Sequence, residues 1–187
     1  KVYDNVTPLF VTGINANNAV DLSYASEIGS FNTGISYTDQ SGIIRPSAMD
    51  RLNAKFNGMF NVSSNLKVGA SANYSQTNVV KVPAGSNLSN PLFTTYFAPR
   101  TYDLWGKPYN TVDDPYKQYH YRSNMDNPRW SAEYNDLQEE TKRVFGNVYF
   151  DYSPVKWMNV NYRLGIDNFV TDGKDKYELG SGETGGR

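Results

Sequence analysis

Met158-Asn159-Val160-Asn161-Tyr162-Arg163-Leu164-Gly165-Ile166-Asp167 separates into two sets by position. The even positions, Met158, Val160, Tyr162, Leu164 and Ile166, are apolar. The odd positions, Asn159, Asn161, Arg163, Gly165 and Asp167, are polar or glycine. An extended strand sends successive side chains to opposite faces, so this stretch has one apolar face and one wet face. Residues 144–152 repeat the pattern. Val144, Gly146, Val148, Phe150 and Tyr152 lie against Arg143, Phe145, Asn147, Tyr149 and Asp151. A short Ser153-Pro154-Val155-Lys156-Trp157 turn joins the two.

The unit recurs upstream. Val20, Leu22 and Tyr24 alternate with polar or small residues, Glu27-Ile28-Gly29-Ser30 reads as a tight turn, and Phe31, Thr33, Ile35 and Tyr37 complete a hairpin. A loop at 39–48 leads to a longer strand with Leu52, Ala54, Phe56, Gly58, Phe60 and Val62 on one side. After Ser63-Ser64-Asn65, the next strand aligns Leu66, Val68, Ala70, Ala72 and Tyr74. Period two fits these windows and a helical period does not. Residues 1–18 show no period and read as an irregular lead-in; 176–187 read as a glycine-rich loop. Between them, 19–175 read as about six strands interrupted by one long connection at 79–140. That connection holds six of the nine prolines and eleven aromatic residues.

Composition narrows the function. The net charge of −1 gives no basic footprint for a nucleic acid. The absence of cysteine excludes disulfides and thiolate metal sites. Fifteen tyrosines against nine phenylalanines favour surfaces that are part apolar and part wet. No apolar run is long enough for a transmembrane helix, but barrel strands hide their hydrophobicity in alternation.

The expected fold is all-β, with antiparallel up-and-down strands forming part of a large transmembrane β-barrel. The apolar faces carry no charge over about ten residues, the length a tilted strand needs to cross a bilayer. Arg51, Lys55, Lys67, Arg143, Asp151, Arg163 and Asp167 occupy the opposite, lumen-facing side and must be solvated. Connections alternate short and long, as in outer-membrane barrels. Phe31, Phe60, Tyr152 and Trp157 gather near the short turns, and Tyr37 and Tyr74 near the other end, matching interfacial girdles. A soluble antiparallel sheet with one wet face gives the same alternation. Such a sheet, binding carbohydrate through the tyrosine-rich connection, is the alternative.

Ile35-Ser36-Tyr37-Thr38-Asp39-Gln40-Ser41-Gly42-Ile43-Ile44, then Arg51-Leu52-Asn53 and Leu66-Lys67-Val68-Gly69-Ala70, resembles the SusC/RagA-type TonB-dependent transporters of Bacteroidota. Asn90-Pro91, Gly146-Asn147-Val148-Tyr149, Trp157-Met158-Asn159 and Tyr162-Arg163-Leu164-Gly165-Ile166-Asp167 extend the resemblance over most of the chain. It implies an outer-membrane barrel of roughly 22 strands, a plug inside it, and import of oligosaccharides or peptides. It also implies a SusD-like surface lipoprotein and the TonB complex as partners. Neither the plug nor a TonB-contacting segment is represented here, so the chain reads as an internal barrel section.

Within the long connection, Tyr102, Trp105, Tyr109, Tyr116, Tyr119, Tyr121 and Trp130 are candidates to contact cargo or a lid, with Asp103, Asp113, Asp114 and Arg122 to orient it. Self-packing of these aromatics is the competing expectation. No catalytic constellation, cofactor or metal site is expected. His120 is the sole histidine, and Asp172, Asp175 and Glu178 lack calcium-loop spacing. Gly180-Ser181-Gly182-Glu183-Thr184-Gly185 matches G-x-G-x-x-G outside any βαβ context and is expected to be a flexible loop.

Overall fold

The computed structural model describes residues 1–122 and 124–184. Six strands form one antiparallel sheet in chain order: β1 (Asn15–Ala25), β2 (Gly29–Ser41), β3 (Ala48–Ser63), β4 (Leu66–Lys81), β5 (Asp136–Val155) and β6 (Met158–Lys176). Turns at 26–28, 64–65 and 156–157 close one end of the sheet. The other end carries the β2–β3 loop, the long connection and both flanking segments.

The register turns single-strand alternation into two continuous surfaces. Directly opposed residues share a face, and rows run across the sheet: Leu22–Thr33–Phe56–Ala72–Gly146–Ile166, then Tyr24–Phe31–Gly58–Ala70–Val148–Leu164. Neither row contains a charge. On the opposite side the rows read Asp21–Gly34–Lys55–Asn73–Phe145–Asp167 and Ser23–Asn32–Asn57–Ser71–Asn147–Gly165. The apolar band on β5 begins at Val144, just past Lys142, and runs to Tyr152. Eight strand steps cover about 27 Å along the chain, enough, once tilted, for the apolar belt of a barrel.

Among the described residues no second layer covers either face of the sheet. Val20 is 71 % exposed, Leu164 59 % and Ile166 68 %. The buried apolar residues Ala98, Leu104 and Trp130 belong to the long connection, Leu9 to the lead-in and Leu137 to the start of β5. An apolar surface six strands wide with nothing on it marks an interaction or membrane surface.

Element boundaries differ from the expected ones beyond the apolar band. β1 begins at Asn15, inside the lead-in expected at 1–18, and Asn15-Ala16-Asn17-Asn18 pairs with 37–40. The long connection spans 82–135 rather than 79–140, because Val79, Val80 and Lys81 pair with Glu139, Gln138 and Leu137. In these extensions apolar and polar residues no longer alternate, so pairing persists after the pattern that signals it has ended. The connection also contains two helices, α1 (Pro91–Tyr96) and α2 (Pro128–Tyr134). β6 runs to Lys176, and the segment after it is packed rather than loose: Ser181 is fully buried. Residues 185–187, including Gly185 of the glycine motif, lie outside the described residues.

Candidate functional site

The long connection folds into a cap over one end of the sheet. Both of its helices start at Asn-Pro. The Asn90 side chain accepts from the backbone N–H groups of Leu92 at 3.0 Å and Phe93 at 3.2 Å; that of Asn127 accepts from Arg129 N–H at 3.1 Å. Asparagine satisfies the free donors of the first turn, and proline at the first helical position lacks the donor that would otherwise be stranded.

Two asparagine and aspartate hubs bind the flanking segments into this cap. Asn5, 5 % exposed, donates its amide to the carbonyls of Pro99 and Tyr102 and accepts from Leu104 N–H at 3.2 Å. Its own carbonyl receives the Trp105 indole N–H at 2.9 Å. Asp126 has no exposed surface and accepts from Gln118 Nε2 at 2.7 Å, Ser181 Oγ at 2.7 Å and Gly182 N–H at 2.8 Å. Burial pushes its carboxyl above the ordinary range, while those donors and His120 pull it the other way. Gly180 turns the chain at φ +94°, where a side chain would be strained, and so delivers Ser181 to Asp126. Glu183 accepts from Ser89 Oγ at 2.8 Å, a further tie between the cap and the segment after β6.

The aromatic candidates separate sharply in this setting. Trp130 is completely buried, its indole donating to Pro115 O and its ring stacked on Tyr134 at 5.4 Å. It holds the cap together and is withdrawn as a contacting residue, because no face of it meets solvent. Tyr116 meets the edge of Tyr134 at 5.4 Å, and Tyr102 sits beside Tyr121 at 6.1 Å with Lys107 over its ring. Tyr121 donates to Thr94 O, and burial pushes its hydroxyl up to about 12. Tyr119 and Tyr116 keep exposed surface, whereas Trp105 and Tyr109 are half-buried around Arg129.

The register places all seven charged candidates, Arg51, Lys55, Lys67, Arg143, Asp151, Arg163 and Asp167, on the polar face. Lys55 pairs with Asp21 at 2.7 Å, Arg143 with Asp167 at 2.8 and 2.5 Å, and Arg51 donates to Thr77 at 3.0 Å. Arg163 lies over Tyr149, 5.3 Å from the ring centre. Among the described residues no cluster of histidine or carboxylate side chains could hold a metal ion.

Sequence reasoning missed Arg45, Arg129 and Glu133. They line a cavity of about 490 Å³ where the lead-in, the β2–β3 loop and the cap meet, together with Leu9, Val11 and Trp105. Arg129 lies over Tyr109 at 4.3 Å and Trp105 at 5.5 Å, and donates to the carbonyls of Trp105 and Lys107 at 3.3 and 3.0 Å. Tyr109 donates to Glu133 at 2.6 Å, and that bond holds the phenol above its ordinary pKa. The Asn127-Pro128 pair was the available signal: a helix start there places Arg129 and Glu133 four apart on one face.

No protein-family model and no curated protein matches the chain. Solved structures do. The RagAB peptide importer in its closed-closed state superposes with a TM-score of 0.75 at 19 % identity, over 97 % of this chain and 20 % of that one. Its open-open state gives 0.72 at 20 % identity, covering 91 % and 19 %. A structure of the RagAB peptide transporter gives 0.71 at 20 % identity, covering 92 % and 20 %. The six strands have the fold of a section of a β-barrel transporter. The chain spans about a fifth of the length of these neighbours.

Proposed function

We propose that this chain is a section of the wall and outer cap of a TonB-dependent outer-membrane transporter of the SusC/RagA type. The observation that carries the reading is the pair of uncovered surfaces: a charge-free band across all six strands, backed by a face with seven charged candidates. In water, such an exposed apolar band favours aggregation; in lipid it meets its natural solvent, and the polar face lines a wet interior. The open edges of β1 and β6 continue into further strands, since unpaired backbone groups are costly in hydrocarbon.

The cargo is an oligosaccharide or a peptide; the neighbours' description as peptide importers favours the second. A SusD-like lipoprotein covers the cap, TonB supplies the energy, and the chain contributes no catalytic step. Intact mass and fractionation of the native polypeptide carrying this sequence test the reading. The expected result is a mass several times 21.1 kDa in the outer-membrane fraction. A polypeptide near that mass that remains in solution without detergent contradicts it and leaves the soluble carbohydrate-binding sheet.

A further inference from the structure

We infer that the cavity between the lead-in and α2 binds the free carboxylate end of a short peptide through Arg45, with the peptide's last apolar side chain on the wall of Leu9 and Val11. This rests on the transporter reading, and specifies a cargo contact within it.

The chemistry is set by what each lining group already does. Arg129 is engaged by two backbone carbonyls and two aromatic rings, so it shapes the cavity. It also occupies a face of Tyr109 and of Trp105, the flat surfaces a sugar ring would stack on. Glu133 is oriented by the Tyr109 hydroxyl. Arg45, exposed at the mouth, makes no side-chain hydrogen bond or ion pair among the described residues. The remaining apolar lining comes from Pro8, Leu9, Val11, Pro46 and Pro128. An unpaired guanidinium in a cavity with apolar lining selects an anion attached to an apolar body, and a carboxylate matches its paired donors. The volume lies in the range of small-ligand sites and accommodates a few residues of peptide. Glu133 also lines the cavity and repels anions in proportion to their charge, which favours a monoanionic peptide end over a dianionic phosphate.

Acetyl-Ala-Val-Leu with a free carboxylate and the same tripeptide as its carboxamide are the probes. Each is titrated calorimetrically against the native full-length transporter in detergent. The acid is expected to bind about tenfold more tightly than the amide, the strength of one charge-assisted pair. Arg45→Glu and the milder Arg45→Ala should erase the difference, while Arg100→Ala, outside the cavity, should keep it. Equal binding of acid and amide, binding of neither, or a preference that survives both Arg45 variants overturns the inference. Barrel insertion is read separately by resistance to unfolding in cold SDS. A correctly inserted protein with no acid preference rejects the carboxylate site and leaves the transporter reading standing.

Discussion

Ser181 donates its hydroxyl to Asp126 across 2.7 Å, and this bond joins the segment after β6 to the cap formed between β4 and β5. Gln118 and the Gly182 backbone complete the shell around the same buried carboxylate. Replacing Asp126 with leucine strands these donors in a dry site, at a cost of about 1–3 kcal/mol or more. The expected outcome is faster proteolytic cleavage within 82–135 while the sheet stays resistant. Asp126→Asn should be far milder, since the hydroxyl of Ser181 can accept from the new amide.

The pH response of that lock has a definite sign. Burial, the largest influence on Asp126, raises its folded pKa above the ordinary 3.8. A proton is therefore held more tightly in the folded than in the unfolded state, and the ionised form carries a cost. Cap stability should rise as pH falls through the raised pKa, with the gain complete below 3.8. Cleavage rates in 82–135 measured across this window should slow toward acid in the native protein, with this component absent in Asp126→Asn.

The two faces should respond oppositely to charge. Phe56→Lys or Leu164→Arg places a charge in the apolar band and should cost about 2–4 kcal/mol near the bilayer midplane, seen as loss of heat-modifiable barrel in the membrane fraction. Asn57→Lys, next to Phe56, and Asn147→Lys, opposite Gly165 on the strand beside Leu164, both lie on the wet face and should insert normally. Loss of insertion in all four variants would contradict the face assignment.

Two glycines in the sheet predict unequal costs. A Cβ at Gly146 would fall 2.2 Å from the backbone oxygen of Ser71 and 3.1 Å from Ala72 Cα, on the neighbouring strand. A Cβ at Gly69 meets the far end of the Tyr149 ring at 2.3 Å, which can swing away from the polar face. Gly146→Ala should destabilise by about 1–3 kcal/mol, and Gly69→Ala by about 1 kcal/mol or less. Urea unfolding midpoints in micelles compare them.

The strands were legible wherever one face is apolar and the other wet. Val144 to Tyr152 and Met158 to Ile166 alternate as one apolar and one wet face demand, and the register sets the apolar positions of both strands on one side of the sheet. Legibility stopped where that demand stops. Asn15-Ala16-Asn17-Asn18 and Val79-Val80-Lys81 are strands in which period two carries no information, because residues of the same kind fall on both sides. The cap was less readable still. Its order comes from contacts across long sequence separations, such as Asn5 with Leu104 and Ser89 with Glu183, which no local window contains. Its aromatic richness was visible, but not which rings face each other: Trp130, conspicuous in sequence, is wholly internal, whereas Arg45 and Glu133 carried no comparable mark.

Nitroxide scanning of residues 160–167 in the native full-length protein, reconstituted in lipid, tests the central claim most directly. The sequence has no cysteine of its own in this section, so single cysteines can be labelled position by position. Labels at Val160, Tyr162, Leu164 and Ile166 should collide freely with oxygen, which concentrates in lipid, and little with a water-soluble nickel chelate. Labels at Asn161, Arg163, Gly165 and Asp167 should show the reverse. Even positions shielded from both reagents would mean the apolar face is packed against protein, and even positions open to nickel would mean it faces water. Either result would contradict a membrane-spanning wall.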